Sequence, residues 1–384
     1  MKLLHGAVVA ASGTLWFASG AGAQPSFWSF GERSRAFAVN PDGSHVLYQD
    51  PAGTLYRWAQ SSGTATVLSA GLPFFTLDAV SADLSTTLGS VALGNRGTPA
   101  RWRPGTGYER FFDQPGIGFA LNGDGNAAAG VWLGTAVRAF RWTESSGLSL
   151  LPDLTPPAGT TIIGSEARQI SRDGSIVAGY TDTTNPERFT RVPTVWRNGT
   201  PQALLYPPEA SLAYTSYLSA DGQRVVGANA PSDPGLPPVL ARMLFWDAAG
   251  QYEAISLPDG WRNIDILGGT GDLSTVVGTL IRPGERRGFL WRRDLGFVLA
   301  DDLLATIGVT RPDWEFTDIR SISDDGLTIV GTARLAIGNP FQEEIAWVAT
   351  IPTPGAAALL TLAGLWTARR RRGAAGAPNQ SPEA

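Results

Sequence analysis

A short pattern of apolar and polar positions recurs seven times along the chain. It is clearest at residues 170–179, where an apolar residue and Ser-x-Asp-Gly precede an Ile-Val-Ala-Gly segment. Asp-Gly between apolar runs is a strong hairpin signal, and five of the seven aspartates precede a glycine. The aspartates, spaced by 41, 41, 49, 48, 51 and 53 residues, are Asp42, Asp83, Asp124, Asp173, Asp221, Asp272 and Asp325. The pattern predicts a tight turn between two strands in each repeat.

The positions around each aspartate support a structural role for it. A side chain able to bond nearby backbone stands two residues earlier in all seven repeats: Asn40, Ser81, Asn122, Ser171, Ser219, Thr270 and Ser323. Such side chains fix turns. A glycine stands six residues after the aspartate in six repeats, and only the first repeat differs, with Tyr48. We therefore expect turn residues here rather than metal ligands or catalytic acids.

Each repeat also contains one tryptophan after a small apolar cluster. The seven are Trp58, Trp102, Trp142, Trp196, Trp246, Trp291 and Trp347. Phe140 and Trp142 are two apart and so share one face of a strand. A polar turn and another short apolar run follow, as at residues 148–151. Each repeat thus predicts four short strands, with the tryptophan on the third, packed in the core rather than stacked on a ligand.

Four strands in 41–53 residues, repeated seven times, predict an all-β fold. A four-stranded unit cannot bury both of its faces alone, and radial stacking solves this in a β-propeller. We expect one seven-bladed β-propeller of four-stranded repeats over residues 24–350. The first and last blades must meet, with an early strand near residues 27–30 or the strand around Trp347 completing a shared blade.

Composition excludes several kinds of chemistry. The chain has no cysteine, which excludes thiol nucleophiles, iron–sulfur clusters and cysteine zinc sites. Its two histidines are His5 and His45, too few for a histidine-rich zinc site. The formal net charge of −4 argues against nucleic-acid binding, which normally needs a basic surface. No cofactor is predicted.

The first 23 residues are typical of a secretory signal peptide. Lys2 supplies the positive start, and residues 3–17 form an uncharged, mostly apolar stretch. The small residues Ala21 and Ala23 then precede Gln24, which is the pattern of a cleavage site. We expect cleavage between Ala23 and Gln24 and export of the remaining chain.

The C-terminal region contains a second targeting pattern. Residues 355–368 form an apolar run of 14 residues, followed by Arg369, Arg370, Arg371 and Arg372. As a helix the run would span about 21 Å, which is short against a hydrocarbon core of about 30 Å. This predicts a short transmembrane helix that crosses the inner membrane transiently, with the arginines held on the cytoplasmic side. Residues 373–384 are expected to be a disordered tail.

Residues 351–372 resemble the PEP-CTERM sorting signal. The resemblance rests on Pro352-Thr353-Pro354, the apolar run and the arginine cluster. It implies an exosortase-type processing enzyme as a partner, and release or transfer of the protein at the cell surface. Thr353 stands where the family usually has glutamate, and twelve residues follow the arginines, where the family usually ends soon after them.

The repeats resemble the HAF family of bacterial extracellular repeats. In that family a stretch like Ala139-Phe140-Arg141-Trp142 follows a Ser-x-Asp-Gly turn. The resemblance spans roughly residues 36–347. It implies an extracellular protein and brings no catalytic residues.

Long connections after the second strand mark one face of the predicted propeller. They are residues 181–192, 229–241, 281–287 and 332–344. Insertions on one face of a repeat protein often form its binding face, although loops without a function would show the same lengths.

Three functions remain open from the sequence. The first is an exported, non-enzymatic protein of the cell surface or extracellular matrix, which binds exopolysaccharide or a surface protein through this loop face. The second is a propeller glycan hydrolase or lyase that uses paired carboxylates, with Asp182, Glu187, Asp233 and Glu285 as candidate acids. The third is a scaffold stabilised by calcium at the turn aspartates.

Overall fold

The computed structural model describes residues 25–69, 76–93, 96–156, 158–184, 189–230, 241–336 and 344–351. The predicted signal peptide with Ala21, Ala23 and Gln24 lies outside these ranges. So do the predicted sorting segment, from Pro352 through the arginine cluster, and the final tail. Within the described ranges, no helix is long and apolar enough to cross a membrane.

Seven four-stranded antiparallel sheets form the blades of a β-propeller, as the repeats predict. The strands in chain order are β1 (Ser26–Glu32), β2 (Arg35–Val39), β3 (His45–Gln49), β4 (Leu55–Ala59), β5 (Thr64–Ser69), β6 (Thr76–Val80), β7 (Thr87–Leu93), β8 (Arg96–Arg103), β9 (Gly107–Arg110), β10 (Gly116–Leu121), β11 (Ala127–Leu133), β12 (Val137–Thr143), β13 (Gly147–Leu150), β14 (Thr161–Ile170), β15 (Ile176–Thr184), β16 (Phe189–Arg197), β17 (Thr200–Ala203), β18 (Ala213–Leu218), β19 (Val225–Asn229), β20 (Arg242–Trp246), β21 (Tyr252–Ser256), β22 (Asn263–Gly269), β23 (Thr275–Arg282), β24 (Glu285–Arg292), β25 (Gly296–Leu299), β26 (Trp314–Ile322), β27 (Thr328–Leu335) and β28 (Glu344–Thr350). Blades one to six take four consecutive strands each, beginning with β2. Blade seven combines β26, β27 and β28 with β1.

The N-terminal strand closes the ring. β1 pairs with β28, so that Ser26 lies opposite Thr350 and Ser29 opposite Trp347. The Ser26 hydroxyl donates to Thr350 Oγ1 at 3.0 Å. This confirms the prediction that an early strand completes the last blade.

Tyr48, which departs from the glycine pattern, helps to hold this strand. Its ring stacks on Phe30 of β1 at 4.1 Å between centroids, and on Tyr56 of blade one at 5.1 Å. Trp58 of blade one also contacts Phe30, edge to face, at 5.7 Å. The aromatic rings therefore join the closing strand to the first blade as well as to the last.

A β-bulge explains the glycine found six residues after most of the aspartates. In every blade the pairing of the first and second strands shifts register at this point. A Cβ on Gly179 would lie 1.9 Å from the carbonyl oxygen of Glu166, and one on Gly278 would lie 2.0 Å from that of Asp265. Because no real Cβ approaches that closely, glycine lets the bulge form without moving either strand.

The tryptophans fill the spaces between blades, as predicted, with one exception. Six of them are at most 4% exposed, on β4, β12, β16, β20, β24 and β28. Trp142 stacks on Phe111 at 4.2 Å and packs with Leu88 of blade two. Trp102 is only half-buried. The interface between blades one and two is instead filled by Leu47, Leu55 and Leu84.

One short helix, α1 (Ala300–Ala305), lies in the connection from blade six to blade seven. Leu303 and Leu304 are buried against Phe316 and Ile319 of blade seven. The sequence pattern did not predict this helix, because six residues are too few to show a helical period. Its place matters for the surface described below.

Candidate functional site

The seven turns that contain the repeat aspartates, here called Asp turns, share one hydrogen-bond pattern. At Asp173, the Ser171 hydroxyl donates to Oδ1 at 2.6 Å and the Ser175 N–H donates to the same atom at 3.0 Å. The Ile176 N–H in turn donates to Ser171 Oγ at 2.9 Å. The aspartate accepts the N–H two residues later in all seven turns. These carboxylates are turn acceptors, as the sequence predicts.

The same hydrogen bonds lower the pKa of turn carboxylates such as Asp173 and Asp221. The bond from Ser171 is the largest cause of the lowered pKa of Asp173, and the bond from Ser219 is the largest cause of the lowered pKa of Asp221. Within the described ranges, no group of three or more acidic or histidine side chains could hold a metal ion.

The residue between Ser and Asp places each Asp turn at the propeller axis. Backbone hydrogen bonds of 2.7–3.0 Å join these residues in neighbouring blades, from Ala82 to Gly123, Gly123 to Arg172, Arg172 to Ala220, Ala220 to Gly271, and Asp324 to Pro41, donor first. The N–H of Gly271 donates to the side chain of Asp324 at 2.9 Å. We call this circle of bonds the axial ring.

The axial ring is interrupted between blades one and two, and one ion pair joins two of its blades that are not neighbours. Proline has no N–H, so Pro41 cannot donate towards Ala82. Among the described residues, no hydrogen bond or ion pair joins blade one to blade two. The guanidinium of Arg172 lies 2.6 Å from Asp324 Oδ2 and spans from blade four to blade seven. This ion pair joins two blades that are not neighbours in the ring, at the face that carries the Asp turns, here called the turn face.

Arginines beside the tryptophans connect the third strand of one blade to the Asp turn of the next blade. Arg141 Nε donates to the carbonyl of Gly174 at 2.6 Å, and Arg197 Nη1 donates to that of Gly222 at 2.9 Å. In each case the arginine is on the third strand of one blade and the glycine is in the Asp turn of the next. The Phe-Arg-Trp sequence and the Asp-Gly turn thus form one contact between blades. The repeat pattern does not predict this contact, although an arginine adjoins five of the tryptophans.

The opposite face, here called the loop face, carries the long connections. Asp182 is bound in two places by Arg191, at 2.8 and 2.9 Å. Glu285 pairs with Arg282 and with Arg287, the latter at 3.2 Å. These two acids belong to blades four and six, and each is neutralised within its own blade. Glu187 and Asp233 lie outside the described residues.

A groove of about 1010 Å³ lies on the turn face across blades five, six and seven. We call it the turn-face groove. Its lining runs from Asp324 at the axis to Leu303 of α1 and to Thr306 directly after it, and it includes Ile351, the last residue described. The apolar part of its lining comes from Phe245, Trp246, Tyr252, Leu273, Leu290, Trp291, Leu295, Leu303, Leu327 and Ile351.

Charged groups line the groove in bound pairs. Arg293 of blade six binds both oxygens of Glu253 of blade five, at 2.8 and 2.6 Å. Arg292 binds both oxygens of Asp294, at 2.7 and 2.6 Å. The hydrogen bond from Arg293 lowers the pKa of Glu253, and that from Arg292 lowers the pKa of Asp294. The groove therefore combines apolar and aromatic surface with neutralised ion pairs that still have hydrogen-bonding capacity.

The turn-face groove lies on the face opposite the loop face, which the long connections favour as the binding face. Its residues come from tight turns and strand ends, which have no unusual length in the sequence. Three of the long connections include residues outside the described ranges, which are 185–188, 231–240 and 337–343. Binding at the loop face therefore stays a prediction.

No known family model matches the chain, and no curated protein sequence matches it. Among solved structures, oligogalacturonate lyase from Vibrio parahaemolyticus has a TM-score of 0.54 at 13% identity, over 87% of this chain and 99% of that one. The β-propeller domain of the trilobed protease from Pyrococcus furiosus has a TM-score of 0.50 at 11% identity, over 82% and 93%. TolB from Acinetobacter baumannii has a TM-score of 0.41 at 13% identity, over 84% of this chain, which spans 64% of the length of that protein. At these identities the likeness to the lyase and to the protease domain shows the β-propeller fold alone.

Proposed function

We propose that this chain is an exported, non-enzymatic binding protein of the cell surface or extracellular matrix, which holds an exopolysaccharide in the turn-face groove. The observation that carries the proposal is the groove itself, at about 1010 Å³. Ligand sites are typically concave and mostly apolar, with a few polar groups that fix orientation. The partly exposed rings of Phe245 and Tyr252 offer stacking surfaces for sugar rings.

The pairing of charges favours an uncharged or weakly charged glycan. Arg293 and Glu253 already neutralise each other, as do Arg292 and Asp294. A strongly acidic polymer would have to compete with those carboxylates for the same guanidinium groups. Sugar hydroxyls can donate to the carboxylates and accept from the arginines without breaking either pair.

The alternative, a glycan hydrolase or lyase, needs two carboxylates acting on one bond. Asp182 and Glu285, the two described candidates, are each bound by arginine and lie in different blades. This supports the binding proposal over the catalytic one.

Glycan-array binding of the exported protein tests the ligand. Tyr252→Ala should weaken the strongest glycan signal at least tenfold, because it removes a stacking surface in the groove. The matched control is Val137→Ala on the loop face, where the side chain is 38% exposed. Equal loss in both variants, or loss in neither, would contradict the proposed site.

Intact-mass measurement of the exported protein tests the proposed processing. Cleavage after Ala23 and near Pro352-Thr353-Pro354 removes both terminal segments, including the four arginines. A full-length exported chain that retains Met1 and Ala384 would exclude this processing.

A further inference from the structure

The boundary between blades one and two lacks the polar contacts that join the other blades. A hydrogen bond or ion pair crosses each of the other six boundaries. Examples are the ion pair of Arg101 and Glu144 at 3.0 Å, between blades two and three, and the hydrogen bond from the Val39 N–H to the Ser321 hydroxyl at 3.3 Å, between blades one and seven. Among the described residues of blades one and two, no such contact is present.

The axial ring is the first contact that this boundary lacks. Within the ring, the N–H of Ala82 donates to the carbonyl of Gly123 at 2.9 Å, and equivalent bonds join later blades. The donor towards the Ala82 carbonyl would be residue 41, which is a proline and has no N–H. The described Asp turns of blades one and two are consequently not bonded to each other.

The arginine on the third strand of blade one is a second contact that is not made. Arg57 stands directly before the tryptophan of its blade, as Arg141 does in blade three. Arg141 Nε donates to the Gly174 carbonyl in the next Asp turn at 2.6 Å, and the corresponding residue of blade two is Leu84. Arg57 is half-buried, yet its guanidinium forms neither a hydrogen bond nor an ion pair within the described part of the chain.

Apolar contact is what remains at this boundary. Leu47 and Leu55 of blade one and Leu84 of blade two pack together and are at most 1% exposed. Trp102 occupies the place of the buried Trp142 but is only half-buried. Because apolar contact is non-directional, these leucines can slide past one another without breaking a hydrogen bond.

We propose that the boundary between blades one and two is the hinge of the propeller, where the ring opens and closes while β1 and the other six boundaries stay closed. Local opening in a native protein concentrates where stabilising contacts are fewest. Opening here breaks only the contact of three leucines, whereas opening at any other boundary must also break a hydrogen bond or an ion pair. The weakest boundary is therefore not the last blade, where the N-terminal strand closes the ring.

The position of the hinge separates it from the turn-face groove. The groove lies across blades five, six and seven, so that its walls do not include the boundary between blades one and two. Opening exposes Leu47, Leu55 and Leu84 to solvent and leaves the groove intact. The inference consequently does not depend on the proposed function, and its test needs no glycan.

Pulsed electron paramagnetic resonance of nitroxide-labelled cysteine pairs tests the hinge, because the natural chain contains no cysteine. Ser61, Thr106 and Ser145 are exposed residues in the turns between the third and fourth strands of blades one, two and three. The pair Ser61→Cys and Thr106→Cys spans the proposed hinge, and the pair Thr106→Cys and Ser145→Cys is the matched control across the next boundary. In the exported protein, the distance distribution of the first pair should be at least twice as wide as that of the second. Equal widths would overturn the proposal.

Pro41→Ala tests the role of the interrupted axial ring. The substitution restores an N–H towards blade two, so that the distribution of the first pair should narrow towards that of the control pair. An unchanged width would overturn the role given to Pro41 in the hinge.

Leu84→Ala tests the apolar contact, with Leu273→Ala as its control. Each leucine follows the aspartate of an Asp turn and is at most 3% exposed, but the ion pair of Arg293 and Glu253 also joins the two blades that meet at Leu273. Leu84→Ala should widen the distribution of the first pair further, and Leu273→Ala should leave it unchanged. Equal widening by both substitutions would show a general loosening of the fold and would overturn the hinge. Far-UV circular dichroism checks that each variant is folded before the distances are compared.

Discussion

Replacing Trp142 by alanine tests whether the repeat tryptophans hold the blades together. The indole is 4% exposed, stacks on Phe111 at 4.2 Å with an interplanar angle of 17°, and lies 4.7 Å from the guanidinium of Arg101. Arg101 belongs to blade two, so this ring contacts groups on both sides of a blade boundary. The substitution removes all of these contacts at once.

The expected loss in the free energy of unfolding is about 3–5 kcal/mol, the usual cost of truncating a large buried aromatic residue. The stacked pair with Phe111 accounts for about 0.5–1.5 kcal/mol beyond simple burial. Against a typical total stability of about 5–15 kcal/mol, this is a large fraction. The expected result is a much earlier unfolding transition in denaturant, with or without glycan.

Trp102 provides a control inside the same motif. It occupies the same place on the third strand of blade two but is only half-buried. Because the stabilisation scales with the apolar area removed from water, Trp102→Ala should cost roughly 1–2 kcal/mol.

Guanidinium chloride unfolding, followed by circular dichroism, measures both variants against the parent protein. The slope of the transition should stay constant, so that the midpoint reports stability. A loss below about 1 kcal/mol for Trp142→Ala would refute the core role and make this tryptophan a candidate for ligand stacking. Equal losses in the two variants would show that burial is not what sets the cost.

Three further predictions concern the backbone, the pH and the closure of the ring. Gly179→Ala should destabilise by about 1–3 kcal/mol in the same assay, since its Cβ meets a carbonyl, whereas Gly97→Ala, whose Cβ would lie 3.4 Å from the nearest atom, should change stability little. The lowered pKa of Asp173 gives stability that is present above its ordinary value of 3.8 and lost as the pH falls below it, so Asp173→Asn should flatten the acid side of a melting-temperature profile. Deleting residues 24–32 removes β1 and should lower the melting temperature far more than loss of one exposed strand would; an unchanged melting temperature would refute closure by β1.

The spacing of the repeats was enough to predict seven blades of four strands each. Each repeat is a local unit of the chain, and its turn residues and its tryptophan recur at a regular spacing. Such local regularity is visible in the sequence. The exceptions reflect contacts between units. Tyr48 replaces a glycine because it stacks on Phe30 of the closing strand. Leu84 replaces the turn glycine and fills the interface that Trp102 leaves half-open.

The groove was beyond sequence reasoning for a similar reason. Its walls come from the turns of three blades together with α1 and Ile351. None of these segments has an unusual length or composition, and they meet only when the ring is closed. The acids predicted on the loop face are conspicuous in the sequence, but the sequence does not show that they are paired. Arg191 and Arg287 neutralise two of these carboxylates in the structure.

The hydrogen bonds of the axial ring also make it possible to measure how often each boundary between blades opens. Each of its five backbone-to-backbone amides, those of Ala82, Gly123, Arg172, Ala220 and Asp324, bonds to a carbonyl of the neighbouring blade. Such an amide exchanges its hydrogen with solvent only when that one boundary separates. Exchange rates measured at these five positions would therefore rank the boundaries by how often they open. The boundary between blades six and seven is reported by the Gly271 amide, which bonds to the Asp324 side chain, whereas the boundary between blades one and two gives no signal from its first blade, because Pro41 has no amide hydrogen to exchange.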